Sequence, residues 1–309
     1  MSDEHPNSDN HQKKHTLSLL WHTDLPGELN RFVESEQPVL IDLTGLCFID
    51  PYGTIILYSL IRHLSKTRTV HIKVPEHQGV FNFFRAIELG QQLKKYDVEF
   101  DKKTITDNVK IRKERGFRIF WERSLSNDDE VEYIALEILQ LARAKVALLR
   151  ERENHDRFYE TISELLSNVE VHSRVGQASI IVCTYNPKER RPYIGIAIGD
   201  HGVGIPFTLR GKFPELSDSE LIERATCAGV KGSANTGGMG LYEVRDLVEE
   251  FRENLVIRSG GGVFRIRLKS KITVPDMKDS MLLPGTQIYF TISEPLRIRK
   301  PRLPSLFGC

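Results

Sequence analysis

The sequence predicts an α/β chain of two domains: a small N-terminal α/β layer, then a larger sandwich of helices on a mixed sheet. Three observations carry that expectation. Apolar residues alternate between a period of two and a period near 3.6 along most of the chain. The 309 residues are enough for two separate hydrophobic cores. Between the two patterned halves, residues 101–130 are rich in charge and poor in apolar periodicity, which marks a junction.

Taken in order, residues 1–14 are polar and read as a disordered leader. Residues 15–20, 38–43, 70–74 and 97–100 read as short strands. Residues 52–64 and 79–90 carry apolar positions at helical spacing. This strand–helix alternation over 15–105 predicts one small α/β layer. A linker follows at 106–129. The large domain, 130–293, opens with a helix at about 128–150, whose SLSNDDE start places acidic residues at the positive end of the helix dipole. A second helix runs from about 155 to 172. Strands are expected at 179–185 and 193–200, then a glycine-containing segment, a helix from Leu241 to about Phe251, and strands at 255–258, 263–268 and 287–292. In the 263–268 strand Phe264, Ile266 and Leu268 alternate with Arg265 and Arg267, which predicts one buried and one wet face. Residues 294–309 read as a basic, solvated tail.

Composition excludes several classes. Hydrophobic residues make up 40% and charged residues 28%, the profile of a soluble globular protein, and the net charge of +1 gives no field for nucleic acid or an anionic membrane. No apolar run is long enough to span a bilayer, and the N-terminus lacks the apolar core of a secretory signal. Cys47, Cys183, Cys227 and Cys309 have no metal-ligand spacing, so reduced, mostly buried thiols and a cytoplasmic location are expected.

Four short patterns carry the chemistry. Glu164, Asn168 and His172 are four apart, so they form a polar ladder on one helix face, with Ile162, Leu165, Leu166 and Val169 left to anchor the helix. A polar ladder is also what an ordinary solvated face looks like. The apolar strand ending at 200 runs into Asp200-His-Gly202-Val-Gly204, where glycines allow backbone to approach a ligand closely, although turns share this pattern. Gly237, Gly238, Met239, Gly240 and Leu241 open a helix, offering unpaired N–H groups and a positive dipole end to phosphates. This is not a Walker A loop, because no GxxxxGK[ST] occurs in the chain. Finally, Pro284-Gly285-Thr286 precedes the last strand.

Together and in this order, the four resemble the motif boxes of the Bergerat-fold (GHKL) ATPases, the superfamily of the gyrase ATPase subunit, mismatch-repair ATPases, ninety-kilodalton heat-shock chaperones and sensor histidine kinases. The resemblance covers residues 130–293. It implies ATP and Mg²⁺ as ligands. Asn168 would give its amide oxygen to the metal, a hard cation that prefers oxygen. Asp200 would accept from the adenine exocyclic amine. Guanine presents an oxygen there, and that mismatch costs on the order of a hundredfold. Gly202 and Gly204 would pass close to base and ribose; Gly237, Gly238, Met239, Gly240 and Leu241 would frame the phosphates; and Thr286 would support the base contact. Glu164 would be the general base and catalytic residue. His172 would extend the binding face. Residues 206–236 would form a lid, with Lys212 and Lys231 as phosphate contacts.

The 38–53 stretch, with Asp42, Asp50, Pro51, Tyr52 and Gly53, resembles the strand–loop–helix of STAS domains, and FNFFRAIELGQQL resembles that fold's closing helix. The resemblance covers residues 15–105. Regulated STAS domains carry a phosphorylatable Ser or Thr between the loop Asp and Gly; here Pro51 and Tyr52 stand there, with Thr54 the nearest hydroxyl on the helix. His155 lacks the context of a phosphoacceptor histidine, and only a short stretch follows the pocket, so the expectation moves away from histidine kinases and topology enzymes. The whole resembles bacterial regulators that pair a STAS domain with an anti-sigma-factor kinase. It implies ATP-dependent control of protein contacts, with protein partners bound through the STAS-like half, a homodimer as a further assembly, and Ser/Thr kinase activity as the enzyme version. The alternatives are a nucleotide switch with little or no turnover, and an ATPase effector in a multi-protein defence or DNA-maintenance system.

Overall fold

The computed structural model describes residues 39–107, 116–174, 176–186, 191–228, 240–267, 270–274 and 283–294. The leader, the strand expected at 15–20 and the tail from 295 onward lie outside the described residues. The architecture is mixed α/β, with one parallel and one antiparallel sheet.

The parallel sheet has the order β1 (Val39–Asp42), β2 (Val70–Lys73), β3 (Val98–Phe100), with Val39 opposite Val70 and Val70 opposite Val98. Parallel neighbours need a crossover. Helix α1 (Pro51–Leu64) supplies the first, and α2 (Gln78–Ala86) with α3 (Leu89–Leu93) the second. Asp50 starts α1: its Oδ1 accepts the Gly53 amide at 2.7 Å, and Pro51 at the first position loses no needed N–H.

The antiparallel sheet has seven strands in the order β4 (Phe117–Ser124), β5 (Gln177–Tyr185), β6 (Tyr193–Asp200), β10 (Leu283–Ser293), β7 (Leu255–Gly260), β8 (Gly262–Arg267), β9 (Ser270–Val274). The expected mixed sheet is corrected here. A helical crossover joins β6 and β7, which run the same way. β10 then inserts between them, antiparallel to both, so no parallel pair remains. The stretch expected as linker is corrected too: 117–124 is the edge strand β4, paired along β5 with a shift in register between Phe120 and Arg123. Its Phe-Arg-Ile-Phe-Trp run is rich in the aromatic and β-branched residues that favour strands, obscured by the charged residues around it.

Helices α4 (Asp128–Arg143), α5 (Arg152–Ser173) and α8 (Gly240–Phe251) contribute apolar positions to one core with this sheet's first face, including Ile196, Ile198 and Phe290. Asn127 caps α4 by accepting the Asp129 amide at 2.9 Å. The helix ends at Arg143, short of the expected 150, where a 3-10 turn (Ala147–Arg150) takes over. The second face carries Ile181, Ala197, Val256 and Tyr289. These cluster with Ile55, Tyr58 and the rest of the parallel-sheet core. Helix α1 packs across β5, β6 and β10. The wet face expected on β8 is therefore covered, and Arg265 is buried beside it.

Part of the expected 206–236 lid is regular structure. Residues 204–209 form α6 (Gly204–Leu209) and 218–225 form α7 (Asp218–Ala225), whose start is a reciprocal box between Ser217 and Glu220. Asp218 and Ser219 then accept the Gly261 and Val263 amides at 2.8 and 3.0 Å, tying α7 to the β7–β8 turn. Residues 229–239, including Lys231, lie outside the described residues. No helix among the described residues is long and apolar enough to cross a membrane.

Candidate functional site

Strand β6 delivers Asp200 to the end of the sheet, 6% exposed. Its Oδ1 accepts the Gly202 amide at 2.7 Å, closing a tight turn, and its Oδ2 accepts the Thr286 amide at 3.1 Å. The second contact depends on an irregularity in β10. Register with β7 shifts between Leu283 and Thr286, and Gly285 sits there at φ +80°, left-handed, with its Cα against the Asp200 backbone. Any Cβ at 285 would overlap the Asp200 carbonyl. Burial pushes the Asp200 carboxyl up to about 6, against the two amides that favour its charge. The result is an acceptor-only group at neutral pH, fixed by backbone on both oxygens.

Gly202 packs so tightly on the backbone of Ser173, at the end of α5, that a Cβ there would overlap the Ser173 carbonyl. Gly204, at φ +80°, turns the chain into α6, and a Cβ there would stand 2.6 Å from the Ser259 Oγ. Both glycines of the 200–204 pattern are thus required by close approach.

Ser259 is a hub that the sequence did not single out. Its Oγ donates to the Gly285 carbonyl at 2.9 Å, accepts the Ile205 amide at 2.9 Å and stands 3.1 Å from the Thr286 hydroxyl. One buried hydroxyl joins β7, the start of α6 and the loop that holds Asp200. The only available signal was a serine near the end of the strand, beside Arg258.

On the opposite wall, α8 begins against α5. A Cβ at Gly240 would lie 2.6 Å from the Asn168 Nδ2 and 2.7 Å from the Glu164 Cγ, so this glycine brings the helix start onto the Glu164/Asn168 face. Leu241 follows, half-buried. His172 lies one turn beyond Asn168 by its backbone. Gly237, Gly238 and Met239 lie outside the described residues. Further along the seam, Arg157 of α5 binds Asp246 at 2.5 Å and also Glu250, both on α8. Between that clamp and Gly240 stands Glu243, whose carboxyl is pushed up by burial and then by the charges of Glu164 and Glu160.

These walls line a cleft that is partly open to solvent. Asp200, Asn168 and Thr286 line it together, with Leu165, Val169, Ile205, Leu241 and Ile288 as apolar wall. Leu165 and Val169, expected only to anchor the helix, also face the cleft. Lys212 is exposed after α6 and does not line it.

No family model, curated protein or solved structure matches the chain.

The cleft sets the Asp200 carboxylate and the Asn168 amide among apolar side chains. No group of three or more His, Cys, Asp or Glu among the described residues forms a metal site by itself. A cation near Asn168 would need ligand oxygens to complete its shell.

Proposed function

We propose that this cleft binds ATP with Mg²⁺, that the large sheet and its helices are a Bergerat-fold nucleotide domain, and that the protein is an ATP-dependent regulator of protein contacts. The observation that carries the reading is the buried Asp200 carboxylate, gripped by the Gly202 and Thr286 amides in an apolar cleft. A buried acceptor with no donor of its own favours a base edge that carries an amine and disfavours one that carries an oxygen. Gly240 supports the reading too, since a Cβ there would crowd Asn168 of the cleft lining.

In this reading Asp200 accepts from the exocyclic amine of adenine, and the Thr286 hydroxyl, held near Ser259, supports that edge. Leu165, Val169, Ile205 and Ile288 contact the faces of the base. Asn168 offers its amide oxygen to the metal. Mg²⁺ arriving with the nucleotide would be held there and would supply positive charge to offset that of the phosphates. Glu164, beside Gly240 and one turn from Asn168, takes a proton from a water or a hydroxyl of a partner protein.

The N-terminal half is read as STAS-like. The start of its α1 is not a free partner surface, however. Asp50, Tyr52 and Thr54 are 3%, 3% and 0% exposed, covered by the large sheet, so phosphorylation at Thr54 is sterically closed. Partners of this half meet its other faces.

Titration calorimetry of the full chain with ATP·Mg²⁺ and GTP·Mg²⁺ tests the base assignment. ATP is expected to bind on the order of a hundredfold tighter; equal affinities, or no binding, sink the reading. Incubation with labelled ATP and candidate partners then separates kinase from switch. Label on a partner that disappears in Glu164→Ala, with ATP binding kept, supports the kinase. Binding without phosphate release or transfer in the wild-type chain supports the switch.

A further inference from the structure

Strand β6 ends on two neighbours that face opposite ways. Asp200 enters the cleft; His201 turns to the other face of the sheet, where it is 8% exposed and 6.0 Å, ring to ring, from Tyr58 of α1. Neither ring nitrogen of His201 has a hydrogen-bond partner among the described residues. Burial, and then the Arg62 charge, hold the imidazole neutral, pushed down to about 3. Tyr58 is itself fixed. Its ring lies 4.6 Å from that of Trp121, whose Nε1 donates to the Ile87 carbonyl at 2.7 Å. Its hydroxyl is 3.4 Å from that of Tyr96. Tyr96, Lys95 and Arg62 all converge on the carboxylate of Glu122, Arg62 at 3.1 Å.

One residue before Asp200, Gly199 lies so close to Ile55 of α1 that a Cβ would overlap the isoleucine. On the neighbouring strand, the Gln287 Nε2 donates to the Asp200 carbonyl at 3.4 Å. The residues on either side of Asp200 are therefore both seated on α1. A residue whose task was only to fill this space would be apolar. A buried imidazole with unpaired nitrogens costs stability, and that cost is tolerated where geometry serves function.

We propose that α1 of the parallel-sheet half is a positioning element for the nucleotide site: Ile55 and Tyr58, acting through Gly199 and His201, set where the Asp200 carboxylate stands in the cleft. The inference rests on the nucleotide reading above and deepens it, because base recognition then answers to any partner that shifts α1 on the sheet. Tyr58 and His201 are positioning residues; neither lines the cleft.

The test uses full-length His201→Leu, Tyr58→Leu and Tyr58→Phe, titrated with ATP and GTP and followed by thermal unfolding. His201→Leu removes two unpaired nitrogens, so a space-filling role predicts equal or higher thermal stability with unchanged binding. The positioning role predicts kept stability with ATP affinity lowered on the order of tenfold and ATP-over-GTP preference reduced alike. Tyr58→Leu should follow His201→Leu. Tyr58→Phe keeps the ring against His201 and should bind as the wild type does. Unchanged affinity and selectivity in His201→Leu overturn the inference and leave the nucleotide site standing, and this variant decides even if Tyr58→Leu fails to fold. A wild-type chain that does not bind ATP overturns the reading beneath it.

Discussion

At the scale of single residues, Asp200 makes two opposite demands on pH. Its carboxyl is pushed up by burial from 3.8 to about 6, so the folded chain holds a proton there that the unfolded chain has already lost. The stability contributed by this group is complete below pH 3.8 and is lost as pH rises through about 6. In the proposed reading, base binding runs the other way, because the amine needs the ionised acceptor. Two measurements separate these. The difference in unfolding free energy between wild type and Asp200→Asn should move against the wild type between pH 4 and 7, by on the order of 2–3 kcal/mol. Affinity for adenosine, which carries no phosphate to titrate, should rise through about pH 6 in the wild type and be absent in the variant. A flat adenosine profile, or wild-type affinity in Asp200→Asn, removes Asp200 from the base contact.

At the scale of elements, two glycines with similar sequence roles are expected to fail differently. Gly202 is pressed on the backbone of Ser173, which cannot move without shifting the end of α5. Gly202→Ala should cost folding stability, by about 1–3 kcal/mol or more. Gly240 is pressed chiefly on the side chains of Asn168 and Glu164, which can turn aside, and alanine is the better helix former by about 1 kcal/mol. Gly240→Ala should therefore melt near the wild type while binding ATP on the order of tenfold more weakly, because those side chains have left their places. Denaturant titration and calorimetry on both variants check the contrast; equal losses of stability would refute it. The same comparison shows why this wall was legible in sequence. Glu164 and Asn168 are marked by helical spacing, and Gly240 by its place at a helix start. Ser259 was not legible, since its role depends on β10 inserting beside β7. Within the expected 206–236 lid the helix α7 was not legible for a related reason: Ser217, Asp218, Ser219 and Glu220, polar like a loop, cap α7 and tie it to the β7–β8 turn.

At the scale of the molecule, the second face of the large sheet decides how the chain unfolds. The alternation of β8 separates the two faces of that strand, but sequence cannot say what lies on the second one. Arg265 illustrates the difficulty, because an arginine at every other position suggests solvent, yet it is buried at 8% exposure. That face shares one hydrophobic cluster with the parallel-sheet half, through α1. A shared cluster couples the halves, since opening either one exposes apolar surface of the other. Ile55 is 1% exposed at the centre of this contact, and Ile55→Ala should cost about 2–5 kcal/mol. If the halves are coupled, this loss appears as a shift of one transition, with Trp121 fluorescence (read in a Trp21→Phe background) and far-ultraviolet dichroism moving together to lower denaturant. Two separated transitions in the wild type, or a variant in which only one probe moves, would mean that each half holds its own stability. A single shared transition has a functional consequence as well. Ligand bound in the cleft stabilises only the folded form, so under the proposed function saturating ATP should raise the midpoint reported by both probes equally, including the one at Trp121 on the face of the sheet away from the cleft.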